Sequence, residues 1–286
     1  MNSPVSYPRR AMCVAIFLSV ALPFPDALAG SKPGHLTVVF DEENLPYSSH
    51  RDRPAGLNVE IARLIVSHLH LDLETRWVNT LNEGLLSVLI QDGDAVQAAV
   101  GVPLEPRTVE DEELVGPEVL FSEPFASTRY VLVTRKRQPR LPNFRAIGRA
   151  PIGVQRGSVV GMRLWDEGFI VRGMTSQHKI LEAIAEGDLD FGALWSNAGW
   201  LIRQDTHFRD TLRVSQAAPE VSGLAWNLAV AVSPRHPQLV PRLNEAIRAL
   251  RDADAFEPLF EFYNVSYFHP IQSLSYPGST RELTNS

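Results

Sequence analysis

The 286-residue chain lacks the features that define several large classes of protein. Its single cysteine excludes an intramolecular disulfide framework. Its net charge is −6 and its Lys and Arg residues form no basic stripe, which argues against nucleic acid as a partner because phosphate binding needs clustered positive charge. Hydrophobic residues make up 44% and charged residues 21%, values typical of a globular protein rather than a disordered or polytopic membrane chain.

Motifs for catalysis and cofactor binding are also missing. The chain has no H-E-x-x-H or C-x-x-C, so a zinc enzyme is not expected. Gly157-Ser-Val-Val-Gly161 departs from the spacing of the G-x-S-x-G nucleophile elbow, which favours Ser158 as a helix cap over a nucleophile. No Walker A or G-x-G-x-x-G loop follows the first predicted strand. We therefore expect a protein that is not an enzyme and that holds no cofactor or metal.

The N-terminal segment has the three parts of a secretory signal peptide. Arg9-Arg10 precedes the apolar run Ala11–Leu22, and Ala27-Leu-Ala29 supplies a small-residue cleavage site. A twelve-residue run rises only about 18 Å as a helix, too short for a hydrocarbon core of about 30 Å. Residues 1–29 are thus predicted to be removed together with Cys13, which leaves a cysteine-free, exported chain in the periplasm.

From residue 35 onward, apolar β-branched segments alternate with segments whose apolar residues recur at helical spacing. The predicted strands are 36–40, 73–77, 95–100, 130–134, 151–155, 190–195 and 227–232. Helix starts are predicted from a cap at Asn58, a capping box at Thr80 and Glu83, and a cap at Ser176, and Gly187 is predicted to end a helix. This alternation predicts an α/β protein with βαβ units and a mainly parallel sheet, arranged as two lobes.

Five segments, in this order, resemble one family of bacterial proteins. They are Gly56-Leu-Asn-Val-Glu60, Asp94–Gly101, Phe121-Ser-Glu-Pro-Phe125, Ile152-Gly-Val-Gln-Arg-Gly-Ser158 and Glu186-Gly-Asp-Leu-Asp190. The family is that of the extracellular solute-binding proteins of family 3, with the type II periplasmic binding fold. The resemblance implies two lobes, each a mixed sheet flanked by helices, with a ligand cleft between them and a monomer as the default state.

The resemblance also implies two hinge crossings, near Ser122–Thr128 and Ala225–Leu228. The implied lobe boundaries are 34–125 plus 229–270 for lobe 1 and 126–228 for lobe 2, followed by a C-terminal tail at 271–286.

Amino-acid-binding members of this family hold the ligand carboxylate with an Arg and a Thr, and the ligand amino group with an Asp. The resemblance puts Pro103 at the Thr position and Trp195 at the Asp position, and Arg107 lies close to the expected Arg. Proline has neither a hydroxyl nor an N–H, and an indole offers an ammonium only a cation–π contact. An ordinary α-amino acid is therefore not the expected ligand.

Eight residues are candidates for the walls of the cleft, either for a ligand or for a partner: Tyr47, Gly101, Pro103, Arg107, Phe121, Gly157, Ser158 and Trp195. Each has a plainer interpretation that the sequence leaves open. Trp195 and Tyr47 fit a core position as well as a cleft position, and Arg107 fits a solvated loop. Ser158 fits simple capping as well as an anion site.

Four further segments resemble one branch of the family: Asn44-Leu-Pro-Tyr-Ser48, Gly101-Val-Pro103, Leu194-Trp195 and Phe262-Tyr-Asn-Val265. This is the MoxJ or XoxJ branch of accessory proteins of quinoprotein methanol and alcohol dehydrogenases. It implies a partner, the subunit of a periplasmic dehydrogenase that uses pyrroloquinoline quinone. Two alternatives remain: a binding protein that presents a small solute to an ABC permease, and an enzyme similar to cyclohexadienyl dehydratases, although no Glu stands in the expected context for its acid.

The signal-peptide hypothesis is directly testable. Mass spectrometry of the protein from a periplasmic fraction is expected to find a mature N-terminus near Gly30, because cleavage follows the small-residue site at Ala29. Recovery of the chain with an intact Met1 terminus in the inner-membrane fraction would show that the segment is a retained anchor.

Overall fold

In the computed structural model of the chain, residues 34–104, 119–215, 221 and 223–271 are described. They belong to one compact unit. The predicted signal peptide, the candidate residue Arg107 and the tail beyond residue 271 lie outside the described residues.

Strands and helices alternate along much of the chain. The strands are β1 (His35–Asp41), β2 (Glu43–Asn44), β3 (Ser48–Ser49), β4 (Asp72–Val78), β5 (Ala98–Leu104), β6 (Leu120–Phe121), β7 (Ala126–Arg135), β8 (Ile152–Gln155), β9 (Val171–Met174), β10 (Phe191–Trp195), β11 (Leu212–Ser215) and β12 (Ala225–Val232). The helices are α1 (Leu57–His68), α2 (Leu85–Gln91), α3 (Val159–Asp166), α4 (Gln177–Glu186), α5 (Ala198–Gln204), α6 (Thr206–Thr211), α7 (Leu239–Asp252) and α8 (Glu257–Phe262), with a 3₁₀ turn at Arg145–Ile147. Within the described ranges, none of the helices has the length and apolarity needed to cross a membrane.

The main sheet is mixed, with strand order β4-β1-β5-β12-β7-β10-β8-β9, while β6 pairs with β12 and β11 pairs with β7. The parallel pairs are β1 with β4 and β5, and β8 with β9 and β10. The antiparallel pairs of this sheet all involve β7 or β12. The α/β fold class is thus confirmed, and the sheet is less uniformly parallel than the βαβ pattern predicts.

Strands β7 and β12 join two halves of this sheet. The first half consists of β4, β1, β5 and β6, and the second of β10, β8, β9 and β11. Ala225–Leu228 of β12 pairs with Ala126–Arg129 of β7, after which β12 continues along β5 and β7 continues along β10. The chain therefore passes between the halves along paired strands rather than through loops.

Each half has its own apolar core, which forms where helices pack on the faces of the sheet. In the first half, α1 packs on β1 and β5, and α7 packs on α1 and β12, through side chains such as Ile61 and Ile247, which are fully buried. In the second half, α4 covers one face through Ile180 and Ile184, and α3 covers the other through Leu164. This layering leaves the carboxyl ends of the parallel strands of both halves facing the boundary between them.

A C-terminal segment, residues 265–271, adds a further connection that the sequence analysis does not predict. The Ser127 N–H donates to the Phe268 carbonyl (2.8 Å), and the Ser127 hydroxyl donates to the His269 carbonyl (2.7 Å). The Asn227 amide donates to the Ile271 carbonyl (3.1 Å) and accepts from the Ile271 N–H (2.8 Å). Phe268 packs into the core of the second half. This segment therefore bonds to both hinge strands and packs on the second half.

Two of the predicted helix signals are confirmed. The Ser176 hydroxyl accepts from the Lys179 N–H and caps α4, and Gly187 ends that helix in the left-handed conformation with φ 96°.

The other two signals are wrong. Helix α1 begins after Gly56, whose φ is 114°, so Asn58 lies inside the first turn rather than at the cap. The Thr80 hydroxyl donates to the Asp41 carboxylate, and α2 begins only after Gly84.

Close packing of α4 on the second half makes Gly192 hard to replace. A Cβ on Gly192 would lie 2.8 Å from Ile184 Cδ1 and closer still to Ile180 Cγ2. We expect Gly192→Ala to lower the free energy of unfolding by about 1–3 kcal/mol, because overpacking forces the helix away from the sheet. Urea denaturation measures this loss.

Gly173 is the matched control, since it also lies in a strand of the second half and its Cβ would meet atoms no closer than 3.7 Å. Gly173→Ala is expected to change the free energy of unfolding by less than about 0.5 kcal/mol. Equal losses in the two variants would mean that helix–sheet contact at Gly192 is not the cause.

Candidate ligand cleft

A cleft of about 680 Å³ opens between the two sheet halves. The first half contributes the loop after β1, the end of β5 and the starts of α1 and α2, and the second contributes the end of β10 and the start of α4. Ligands of open α/β sheets bind at this kind of place, outside the carboxyl ends of the strands. Hydroxyl and amide side chains reach the cleft from both halves: Asn44, Tyr47, Asn58, Ser87, Thr128, Gln177 and Asn197.

Four of the eight candidate residues line this cleft: Tyr47, Gly101, Pro103 and Trp195. They come from three separate elements, the loop after β1, strand β5 and the last position of β10. The fold thus brings together residues that are up to 148 positions apart in the chain, from 47 to 195.

The other candidates lie elsewhere. Phe121 is on β6, pairs with Ala231 and packs half-buried against an apolar cluster that includes Val39, so it does not line the cleft. Gly157 and Ser158 line a separate groove beside α3. Ser158 caps α3 by accepting from the Gly161 N–H, and it also lines a smaller cavity of about 180 Å³ that shares Gln177 and Trp195 with the cleft.

Gly101 allows α1 to approach β5 closely. Its φ is +80°, and a Cβ at this position would lie 2.5 Å from both Nδ2 and Oδ1 of Asn58. Any L side chain would therefore meet both backbone strain and a clash with the Asn58 amide. Because Gly101 has no side chain, there is room for the Asn58 amide at the cleft wall.

Tyr47 is fixed by its backbone. Its N–H donates to the Asn44 carbonyl (2.7 Å), and its carbonyl accepts from the Asn58 N–H (2.8 Å). The hydroxyl is buried and makes no hydrogen bond of good geometry. Burial raises the pKa of Tyr47 to about 12, an effect that the nearby Ser196 hydroxyl and Trp195 indole only partly offset. The phenol is therefore neutral at physiological pH, able both to donate and to accept.

Trp195 forms an aromatic cluster with Tyr130 and Trp226. The centroid of its ring lies 5.0 Å from that of Tyr130 in an edge-on arrangement and 5.1 Å from that of Trp226. The indole is half-buried and also lines the cleft. Trp195 thus combines the two positions that the sequence left open, since one side packs on aromatic neighbours and another contributes to the cleft wall.

Two amide oxygens at the cleft are buried without a hydrogen-bond partner, Gln177 Oε1 and Asn197 Oδ1. Gln177 is the first residue of α4, and Asn197 directly precedes α5. Leaving such an acceptor unsatisfied costs about 1–3 kcal/mol, so native proteins usually pair them.

Among the described residues, the cleft lining contains no Asp, Glu, Lys, Arg or His. The part of the chain that the structure describes also contains no group of three His, Cys, Asp or Glu side chains able to hold a metal ion. The described walls are thus polar, aromatic and aliphatic, without formal charge.

Asn58, Gln177 and Asn197 also line the cleft, although they are not among the eight residues predicted from the sequence. A usable signal exists for Asn58 and Asn197, because both stand near the starts of helices that follow predicted strands, where open α/β sheets bind ligands. Gln177 follows β9, a strand that the sequence pattern does not predict. The sequence pattern predicts Asn58 as a helix cap instead.

No protein-family model matches the chain, and no curated protein matches it. Solved structures do match. The L-cystine solute receptor of Neisseria gonorrhoeae, in its unliganded open conformation, has a TM-score of 0.63 at 16% identity, covering 80% of this chain and 92% of that chain. A second substrate-binding domain from Streptococcus pneumoniae has a TM-score of 0.63 at 13% identity, covering 80% and 100%. MxaJ from Methlophaga aminisulfidivorans MPT has a TM-score of 0.58 at 13% identity, covering 82% and 100%.

The sequence identities are low, so these similarities concern the fold alone. They extend over 80% of this chain and over 92% and 100% of the two matched chains. The chain therefore has the periplasmic-binding-protein-like type II fold.

Proposed function

We propose that the chain is an exported, two-lobed binding protein that holds a ligand other than a free α-amino acid in its cleft and presents it to a membrane permease. The lobes would be residues 34–125 plus 229–270 and residues 126–228. The observation that carries the proposal is the lack of charge in the described cleft lining.

A free amino acid is a zwitterion, and it loses the hydration of both charges when a cleft closes on it. Binding then depends on side chains of opposite charge. Pro103 offers no hydroxyl and Trp195 no carboxylate, so two headgroup contacts are absent. Hydrogen bonds to charged groups contribute about 1.5–3 kcal/mol each, and two of them correspond to roughly two to four orders of magnitude in affinity.

Support for a binding role comes from the fold and the kind of site. The similar structures include one named as a solute receptor and one named as a substrate-binding domain. The cleft volume of about 680 Å³ lies within the range of small-molecule sites. Paired strands β7 and β12 supply a connection about which two lobes can close.

A second candidate is an accessory role in a quinoprotein methanol or alcohol dehydrogenase system, with a segment of the dehydrogenase in the cleft. The aromatic cluster of Trp195, Tyr130 and Trp226 favours it, because aromatic side chains bury large areas at low entropic cost and are frequent at protein interfaces. The sequence resemblance to the MoxJ and XoxJ branch gives further support. MxaJ shares the fold.

The amino-acid exclusion is tested by calorimetry. The mature chain is expected to bind none of the twenty free L-amino acids, nor L-cystine, with micromolar affinity, because the described cleft lining offers a zwitterion no countercharge. Tight binding of Glu, Gln or Arg would refute the proposal.

Trp195→Ala separates a cleft role from a core role. We expect it to weaken binding of ligand or of purified quinoprotein dehydrogenase and to lower the free energy of unfolding by less than about 3 kcal/mol, since the ring is only half-buried. Phe144→Ala is the matched control: this aromatic is fully buried in the same half, and its truncation is expected to cost about 3–5 kcal/mol. Equal losses in urea melts would place Trp195 in the core.

A further inference from the structure

We infer that the chain forms a reversible two-fold dimer in which α3 of one copy packs antiparallel on α3 of a second copy. The two helices contact through Val159, Met162 and Trp165, and Arg156 of each copy lies beside Asp166 of the other. None of these five residues lines the cleft, so the dimer does not rest on the proposed function. A dimer departs from the monomer that the family resemblance implies.

Helix α3 carries apolar side chains on both of its faces. Val160 and Leu164 are buried in the core of the second half. Val159, Met162 and Trp165 form an outer face and are 43%, 57% and 68% exposed. A surface helix normally keeps polar residues toward solvent, and a helix that is apolar all round is usually covered. The outer face of α3 is therefore a surface that another molecule is expected to bury.

A groove of about 420 Å³ continues this outer face between α3 and β9. Met162 and Trp165 line it from the helix, and Val171 and Gly173 line it from the edge strand. Within the described ranges, seven large hydrophobic residues are exposed, and four of them lie between positions 159 and 170. Such a concentration makes an apolar patch on the order of 400 Å², a size that marks interaction sites on soluble proteins.

Two charges at the ends of α3 stand against the dipole of their own helix. Arg156 lies two residues before the Ser158 cap, at the positive end, and Asp166 is the last helical residue, at the negative end. Both line the groove, and neither side chain forms an ion pair or a hydrogen bond with another described residue. Arg163, the basic residue of the last turn, lies beside Gly223 and outside the groove. Within one chain, the charges of Arg156 and Asp166 are therefore uncompensated by a described neighbour.

A second copy, placed antiparallel with the two-fold axis at Met162, compensates both charges. Val159 then lies opposite Trp165 of the second copy, and Asp166 lies opposite the start of the other α3, beside Arg156. Each acid meets a positive helix end and a base, and the symmetry forms these contacts twice. A partner with charge of only one sign would match only one end of the groove. Charge complementarity thus favours a second copy as the occupant.

The size of the patch sets the strength of the dimer. Two apolar patches with their charged rims give an interface of about 1,200 Å² in total, the low end for specific association. Interfaces of this size are transient, so the dimer is expected to dissociate on dilution, with Kd on the order of 10–100 μM.

Sedimentation equilibrium of the mature chain, from about 2 to about 300 μM, tests for this dimer. Trp165→Ser is expected to weaken association at least tenfold, because it removes the largest apolar contact. Its Tm should change little, since the ring is 68% exposed. Leu81→Ser is the matched control: this leucine is 94% exposed on the first half, and its loss should leave Kd unchanged.

Charge exchange tests the antiparallel register. Arg156→Asp and Asp166→Arg are each expected to weaken self-association at least tenfold, because each places like charges together twice. In an equimolar mixture of the two variants every such contact again joins opposite charges. A heterodimer with Kd within about threefold of the unmodified chain is therefore expected. Arg242→Asp, at an exposed position of α7 in the first half, is the control and should leave Kd unchanged.

Several results would overturn the dimer. A monomer at every concentration does so, as does a dimer that survives Trp165→Ser or a mixture of the charge variants that fails to associate. If the chain is monomeric and Trp165→Ser weakens its binding to purified quinoprotein dehydrogenase, the outer face docks that protein and not a second copy. Tight binding of L-glutamine, in contrast, refutes the proposed function and leaves the dimer standing.

Discussion

The antiparallel pairing of β7 with β12 is the constraint on which the rest of the architecture depends. Four residue pairs, from Ala225 with Arg129 to Leu228 with Ala126, hold both strands in one register where they pass between the sheet halves. Successive side chains of a strand point to opposite faces. Thr128 and Leu228 accordingly reach the cleft, whereas Ser127 and Asn227 bond the C-terminal segment on the other face. A shift of one residue would exchange these two sets.

The described part of the cleft is built from the ends of strands and the starts of helices, and its described lining includes no charged side chain. The start of α1 is held against β5 because Gly101 carries no Cβ, and the start of α4 is fixed by the Ser176 cap. Both arrangements place an amide, Asn58 or Gln177, at the wall. The described lining thus presents neutral hydrogen-bonding groups from the starts of two helices.

Local patterns in the sequence predict the elements well where one face is buried. Strands β1, β4 and β12 and helix α7 follow their apolar periodicity closely. The edge strand β9 is missed, since Arg172 and Gly173 break any alternation and the strand is short and half-exposed. A capping signal fails at Asn58 because the chain turns two residues earlier, at Gly56, where φ is positive.

The site is only partly predictable for a different reason. Tyr47, Gly101, Pro103 and Trp195 each follow or end a strand, so sequence position alone suggests the cleft. Whether an amide oxygen finds a partner depends on neighbours that are distant in sequence, and no local pattern carries that information. Phe121 illustrates the limit, because its pairing with Ala231 places it half-buried against an apolar cluster and outside the cleft.

The two tryptophans beside the cleft have a spectroscopic consequence. The indoles of Trp195 and Trp226 lie 5.1 Å apart and are inclined by 46°, a close and chiral arrangement of two identical chromophores. Excited states of such a pair couple, which produces a circular-dichroism signal in the far ultraviolet that neither ring has alone. Trp226 belongs to a hinge strand and Trp195 to the second sheet half. The sign and size of that signal therefore report, without any label, the angle between the hinge and the wall of the cleft.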